Sequence, residues 1–362
     1  MTEIEKLQKQ IKKLYEVLEA NRDLSSTLNL TFVLERLLEK AREVIEAEAS
    51  SLMLVDEEKQ ELYFHTVLGE RSQHLKHIRL KIGEGISGWV AKNKQPVLVE
   101  DCSKDPRFYK KADQESGFLT KSMICVPLLF RQRVLGTIQV LNKTNHRNFN
   151  EEDLKIFQIM ADQAAIAIEN ARLHTLATID HVTGLYRKEY FLMRLKDEYN
   201  RFLYTGTPLA VLMSDIDYFR KINNEYGHIA GDIALKELAK VILSVIHETR
   251  EDDIAGRYGG EEFCVLMPNS NEKRGLEFAE IIRNKIENHH FNVEDKTIRI
   301  TISIGVSSLP LHKNFINDYE DLIKIADEAL YICKDRGRNC SAIFEKKTRK
   351  GEQNESCIYF SG

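Results

Sequence analysis

The sequence predicts an α+β protein of two domains in series, joined by one long helix. Three observations predict it. A chain of 362 residues is longer than one ordinary hydrophobic core organises. Apolar strand-like runs alternate with helical periodicity in both halves, from about residue 23 to 150 and again beyond 179. Between them, from Glu151 to Thr178, residues Phe157, Ala161, Ala164, Ile168 and Ala171 recur at spacings of four and three, the repeat of a single continuous helix.

The elements follow in order. In residues 1–22, Ile4, Leu7, Ile11, Leu14 and Leu18 form a heptad seam that suits helix pairing between chains or packing onto a domain. In the 23–150 domain, a helical stretch from Thr31 to Ala47 precedes strand Ser51–Val55, a turn at Asp56–Gln60 and strand Leu62–Val67. Met123–Phe130 and Val134–Leu141 read as a hairpin turning at Arg131-Gln132-Arg133. The connecting helix, 151–178, has Asn150 as its N-cap, with Glu151, Glu152 and Asp153 in its first turn. In the 179–345 domain, Leu209–Met213 is a buried-type strand. The helix after Gly231 carries Leu235, Leu238, Ile242 and Val245 on one face, and Phe263–Met267 is another strand. Ile298, Ile300, Ile302, Ile304 and Val306 alternate strictly, predicting a strand with one face buried. Leu322–Lys334 is the last helix, and the polar stretch 346–362 is expected to be disordered.

Composition removes several function classes. Hydrophobic content of 43% and charged content of 30% are those of an ordinary globular protein. A net charge of −4 gives no bulk positive field for nucleic acid or a membrane surface. Apolar runs fall far short of the ~18 residues of a membrane span, and the charged N-terminus has no signal-peptide core. Cys102, Cys125, Cys264, Cys333, Cys340 and Cys357 are scattered, which suits reduced thiols in a cytoplasmic protein and not a disulfide frame or zinc site.

The sharpest feature is Arg257-Tyr258-Gly259-Gly260-Glu261-Glu262-Phe263. Two glycines between apolar strands predict a tight hairpin that exploits positive φ. Two carboxylates then open the second strand, on opposite sides of it. Asp215-Ile216-Asp217 ends the strand Leu209–Met213. If the two strands are neighbours, Asp215 and one glutamate converge at one sheet edge. Hard carboxylate oxygens there suit Mg²⁺, which prefers few protein ligands plus substrate phosphates, so a nucleoside triphosphate is implied. The bare backbone at Gly259 and Gly260 leaves room for a bulky substrate.

This Gly-Gly-Glu-Glu-Phe motif resembles the signature of GGDEF-type diguanylate cyclases, and further blocks match in order. They are Asp180-His181-Val182-Thr183-Gly184-Leu185, Asp215 to Asn224, Gly227-His228 with Gly231-Asp232, and Ala326 to Tyr331 with Lys334 and Gly337-Arg338-Asn339. The resemblance implies a cyclase-like βαββαβ sheet with flanking helices. It implies that Asp215, Glu262 and the Ile216 carbonyl hold Mg²⁺, two ions per site, with Mn²⁺ as a substitute. Glu261 would assist deprotonation of the ribose 3′-hydroxyl. Asn223 and Asp232 would read guanine, with Phe219, Arg220, Gly259 and Gly260 around the substrate. Lys334 and Arg338 would neutralise the triphosphate. The reaction implied joins two GTP into cyclic di-GMP, and needs two chains face to face, a homodimer. Departures from the family pattern are Arg187, Lys188-Glu189, Arg220 and Asn224, which bear on rate more than on the reaction. Arg250 and Asp253 match the family's RxxD product-inhibition site, although Ile281 stands where a further Arg is common.

Residues from about 23 to 172 resemble a GAF sensory domain, an antiparallel sheet with flanking helices, through Gly83 to Ala91, Asp105 to Tyr109 and Ser122–Leu129. Asn142-Lys143, Phe149 and Asp153 fall close to the pattern of cyclic-nucleotide-binding GAF domains, with Leu154 in place of its last Glu. By position, that likeness makes Ser51, Ile86, Ser87, Tyr109, Ser116 and Thr120 the pocket candidates and a cyclic nucleotide the ligand, cAMP slightly ahead of cGMP. The alternatives are a GAF domain holding another small molecule, a ligand-free dimeric scaffold, and a catalytically silent receptor for GTP or cyclic di-GMP. Intact Asp215, Glu261 and Glu262 argue against the silent receptor.

Overall fold

The structure, a computed structural model, describes residues 30–69, 75, 77–144, 147–249, 252–293, 296–349 and 352–360, those from 344 onward as backbone. The heptad seam of residues 4–18 lies outside them. Contacts divide the chain between His174 and Thr175 into two units.

In the first unit, helix α1 (Leu30–Ile45) leads into strands β1 (Ala47–Asp56), β2 (Glu61–Leu68), β3 (Arg79–Lys81), β4 (Val97–Val99), β5 (Met123–Phe130) and β6 (Arg133–Lys143). They make an antiparallel sheet in the order β3-β2-β1-β6-β5-β4. The expected hairpin is present, with Phe130 paired to Arg133 and Arg131 at φ 56°. One face of the sheet packs Leu52, Ile138 and Val140 against α1 and against Phe157, Ala161, Ala164 and Ile168 of α4 (Glu151–Thr178). The spacing seen in the sequence is therefore a packing seam. The other face carries α2 (Gly85–Asn93) and α3 (Lys110–Ser116). Asn150 caps α4 as expected, its Oδ1 accepting from the amides of Glu152 at 2.9 Å and Asp153 at 3.0 Å. Behind that cap, Lys143 at the end of β6 makes a buried ion pair with Asp153.

In the second unit, β7 (Tyr186–Arg187), α5 (Lys188–Thr205), β8 (Leu209–Ile216), α6 (Phe219–Tyr226), α7 (His228–Thr249), β9 (Ile254–Arg257) and β10 (Glu262–Pro268) come first. Then follow α8 (Glu272–Asn288), β11 (Phe291–Val293), β12 (Lys296–Ile298), β13 (Ile302–Leu309), α9 (Glu320–Asp335), β14 (Ser341–Arg349) and β15 (Glu352–Phe360). The sheet order is β15-β14-β13-β8-β10-β9-β7. Ala210, Leu212 and Val265 face a core made with α7 and α8, while Val211, Met213 and Leu266 face α5 and α9. The central strand β8 is buried at every position for that reason.

Three expectations change. The alternating run 298–306 is not one strand: β12 pairs with β11 in a separate ribbon, and β13 starts at Ile302. Nor is β13 half-buried, since all eight of its residues are buried. Its alternate positions are small because α9 lies on them. Ser307 donates to the Leu322 carbonyl at 2.7 Å, and a Cβ on Gly305 would strike the α9 backbone at Ala326 and Leu330. Lastly, the described part of the polar tail, 346–349 and 352–360, is strand. β14 runs to Arg349 and pairs with β15, register Ser341↔Phe360 to Arg349↔Glu352, so edge hydrogen bonding recruits a segment whose Cys357, Ile358, Tyr359 and Phe360 favour strand. Gly305→Ala should cost about 3 kcal/mol, seen in calorimetry as a fall of about 10 °C in the second unit's melting temperature.

Candidate active site

The site is built at the edge where β8, β10 and β13 end together. Cross-strand pairing places Glu262 directly opposite Asp215 and Phe263 opposite Ser214. Asp215 is also paired to Ser303 on the other side, so its backbone is fixed from both flanks. The β9–β10 turn is closed by the Tyr258 and Gly259 amides, both donating to the Glu262 carbonyl, at 2.8 and 3.3 Å. The expected use of positive φ is not found: neither Gly259 nor Gly260 is among the glycines in that region. Their smallness matters in another way. A Cβ at Gly259 would collide with the Glu262 carboxylate, and Gly260 has open space around it.

Arg257 holds this turn. Its Nη2 donates to the Gly260 carbonyl at 2.7 Å and its Nε to the Gly259 carbonyl at 3.2 Å, while Nη1 reaches Asp180 Oδ1 at 3.2 Å. Asp180 in turn accepts from the Thr183 amide and hydroxyl. One guanidinium thus ties the residues just after α4 to the glycine turn, a positioning role that the sequence reading did not assign.

Charge is concentrated here. Burial, and then Asp217, push the Asp215 carboxyl above the usual carboxylate range, while Lys334 Nζ at 2.9 Å from Oδ2 pulls it back. Glu261 is likewise raised by burial and by the nearby Asp215 and Glu262 charges. Among the described residues, no three His, Cys, Asp or Glu side chains cluster closely enough to hold a metal by themselves. Asp215 and Glu262, paired across neighbouring strands, together with a backbone carbonyl fit a divalent cation that takes its remaining ligands from phosphate and water.

Asp217 is a structural anchor. Its Oδ1 accepts from Ser303 Oγ at 2.8 Å, and its Oδ2 from Thr301 Oγ1 at 2.7 Å and the Asn339 amide at 3.0 Å. That last bond brings the turn after α9 to the end of β8, which is where Lys334 meets Asp215. Arg338 lies over the Tyr218 ring at 4.4 Å and donates to its hydroxyl at 3.3 Å.

The guanine candidates sit across α6 and α7. A Cβ on Gly231 would strike Asn223 Oδ1, so the glycine lets Asn223 lie against the first turn of α7, beside exposed Asp232. Phe219 is buried under the same turn and Arg220 is exposed. Of the product-inhibition pair, Asp253 is buried near Leu185 and Ala255, and Arg250 lies outside the described residues.

The first unit has its own cavity, between its sheet and helices α2 and α3. Ser51, Ile86, Ser87, Tyr109, Ser116 and Thr120 all line it. Sequence reasoning missed Gln139, Phe108 and Asp113, which line it too. An inward glutamine in the apolar strand β6 was the available signal.

Two family models match the chain. Residues 177–340 match the family model described as diguanylate cyclase, GGDEF domain, and residues 29–168 match the GAF domain model. Diguanylate cyclase A of Treponema denticola is 39% identical over 219 residues, 59% of this chain and 57% of that protein. Response regulator PleD of Caulobacter vibrioides is 39% identical over 166 residues, 45% of this chain and 35% of that protein. The solved GGEEF domain of a diguanylate cyclase from Vibrio cholerae is 32% identical, with a TM-score of 0.41, and covers 44% of this chain and 98% of its own. The chain thus spans little more than half the length of the curated relatives it matches, or less.

The raised carboxylates give a pH prediction. Their folded pKa values exceed the unfolded ones, so the metal-free protein holds their protons more tightly when folded. That stability is fully present below the unfolded values of 3.8 for Asp215 and 4.5 for Glu261, and is lost as pH rises through the folded values. Glu261→Gln should flatten the decline and raise the metal-free melting temperature at neutral pH by about 2 °C. Fluorimetric melting with and without Mg²⁺ reads this, and added Mg²⁺ should stabilise wild type more than the variant. Arg257→Ala should cost about 1–3 kcal/mol by releasing the glycine turn from Asp180, measured by urea unfolding.

Proposed function

This chain carries a GAF domain followed by a GGDEF domain, and from that premise we propose that it is a diguanylate cyclase. Its reaction condenses two GTP into cyclic di-GMP and two pyrophosphates. The observation that carries the reading is the register that sets Asp215 against Glu262, with Glu261 and Lys334 beside them.

In this reading Asp215, Glu262 and the Ile216 carbonyl hold Mg²⁺, two ions per site, or Mn²⁺ in its place. Held there, such an ion would supply charge neutralisation for the triphosphate and Lewis-acid polarisation at the α-phosphorus. Lys334 and Arg338 bind the phosphates, as point charge and planar fork. Asn223 and Asp232 bind the guanine edge, where an aspartate accepting from N1–H and N2–H selects guanine over adenine. Glu261, with its raised proton affinity, takes the proton of the ribose 3′-hydroxyl. The freed oxygen bonds to the α-phosphorus of the other GTP as the bond to pyrophosphate breaks, and the same exchange in reverse closes the ring.

One site holds one GTP, so two chains must meet. A second row on α4 supports a homodimer. Ile159, Ile166 and Leu173 are spaced by seven and are 41%, 44% and 51% exposed, with Leu176 continuing the row. An apolar heptad row turned away from its own core suits the same row on a second copy. Product inhibition at Arg250 and Asp253 remains part of the proposal. So does regulation by a small ligand in the GAF cavity, for which the sequence favours a cyclic nucleotide. Among the described residues no helix is long and apolar enough to cross a membrane, and GTP as substrate supports a cytoplasmic setting.

The deciding assay is incubation of the purified chain with GTP and Mg²⁺. It should release pyrophosphate and cyclic di-GMP, stop on chelation by EDTA, and fall at least about a hundredfold in Glu262→Gln. Retained turnover in that variant would defeat the reading and leave a GTP receptor in its place. The double variant Ile166→Asp, Leu173→Asp should sediment as a monomer and lose turnover about tenfold or more while still binding GTP.

A further inference from the structure

Two residues at the edge of the second-unit sheet hold costly backbone conformations. Tyr218, just before α6, has φ 58° and ψ 29°, and Arg338, in the turn after α9, has φ 68°. Both lie in the left-handed region, which a residue with a bulky side chain seldom enters. Asparagine or glycine would take either position more cheaply, as Gly337 and Asn339 do beside Arg338. Such strain persists where the surrounding structure imposes it, and it gathers at functional sites. The fastening here is the Asn339 amide, which donates to Asp217 Oδ2 at 3.0 Å. Tyr218 and Arg338 are the chain neighbours of that bonded pair, so their backbones are pinned side by side.

The side chains carried on this backbone make one unit. The Arg338 guanidinium carbon lies 4.4 Å from the centroid of the Tyr218 ring, and Nη1 donates to the Tyr218 hydroxyl at 3.3 Å. The tyrosine is 61% exposed, so its ring is not there to fill a core. A phenol that accepts from Arg338 keeps its own proton to give. A guanidinium stacked on a ring keeps the in-plane fork that matches phosphate. The pair therefore offers a planar fork and a hydroxyl to a single tetrahedral anion. It stands at the sheet edge where Lys334 meets Asp215 at 2.9 Å, and the Arg338 charge also favours the ionised form of Asp215.

We propose that Tyr218 is a further residue of the triphosphate site, its ring positioning the Arg338 guanidinium and its hydroxyl donating to the phosphate that Arg338 binds. This rests on the reading above that Arg338 binds the phosphates of GTP. It explains why a tyrosine stands where the backbone alone would favour asparagine.

The test compares the full chain with Tyr218→Phe, which keeps the ring and loses the hydroxyl, and Tyr218→Asn, which loses both and relaxes the backbone. Each is titrated calorimetrically, with Mg²⁺ present, against guanosine 5′-(α,β-methylene)triphosphate, whose bond to pyrophosphate cannot break, and against guanosine. Tyr218→Phe should bind the triphosphate about fivefold more weakly and Tyr218→Asn at least about twentyfold, with guanosine binding the same in all three proteins. With GTP as substrate, KM should rise about fivefold in Tyr218→Phe while kcat changes by less than about twofold. The urea midpoint of Tyr218→Asn should equal or exceed that of wild type, which a purely structural tyrosine would not allow. In an Arg338→Ala background the loss caused by Tyr218→Asn should shrink at least about threefold. Unaltered triphosphate binding in Tyr218→Phe, an equal loss of guanosine binding, or full additivity with Arg338→Ala overturns the proposal. Wild type that binds the triphosphate no better than guanosine removes the phosphate role of Arg338 and the proposal with it. Cyclic di-GMP synthesis is measured on the same preparation. Its absence beside tight triphosphate binding would count against the cyclase reading alone, since the binding comparison does not require turnover.

Discussion

The second unit depends on the antiparallel register between β8 and β10. Because side chains alternate across a strand, a slip of one residue would carry Glu262 to the opposite face from Asp215 and put Glu261 in its place. The register is held by strong means. Every residue of β8 is buried between two helical layers, so a slip would exchange the sets of side chains facing α7 and α5. The carboxylate arrangement is stabilised by hydrophobic burial far from it, and this offsets the repulsion that the acidic groups build up among themselves.

Around that register, small residues and one buried acid do the fitting. Gly259 leaves room for the Glu262 side chain, Gly231 for Asn223, and Gly305 for the backbone of α9. Asp217 spends its oxygens on β13 and on the turn that carries Arg338. Two aspartates separated by a single residue therefore differ in kind. Asp215 faces Lys334 at the sheet edge, whereas Asp217 fastens three chain segments together.

Much of this was legible in the sequence. The hairpin of β5 and β6, the cap at Asn150, the extent of α4 and the proximity of Asp215 to a glutamate all follow from local rules of turn, cap and alternation. What escaped depends on partners distant in sequence. Alternation at 302–306 looked half-exposed because serine and glycine usually mark a wet face, and here they mark helix contact. The glycine turn was correctly placed but for the wrong reason, since the need for Gly259 comes from a side chain three residues on and not from its own φ. Arg257 could not be paired with Asp180 from sequence, because 77 positions separate them. The cavity was found through residues of matching position, but Asp113 and Gln139, which match no quoted motif position, join its wall only in the fold.

Strand β6 serves two masters. Gln139 belongs to the cavity wall, and Lys143, four residues on and just past the positive-φ Asn142, grips Asp153 in the first turn of α4. Pairing with β5 ends at Leu141, so beyond it β6 is held by β1 and by the grip on the helix. The root of α4 is thereby fixed to the strand by a buried ion pair, of which removing either partner costs about 3–5 kcal/mol.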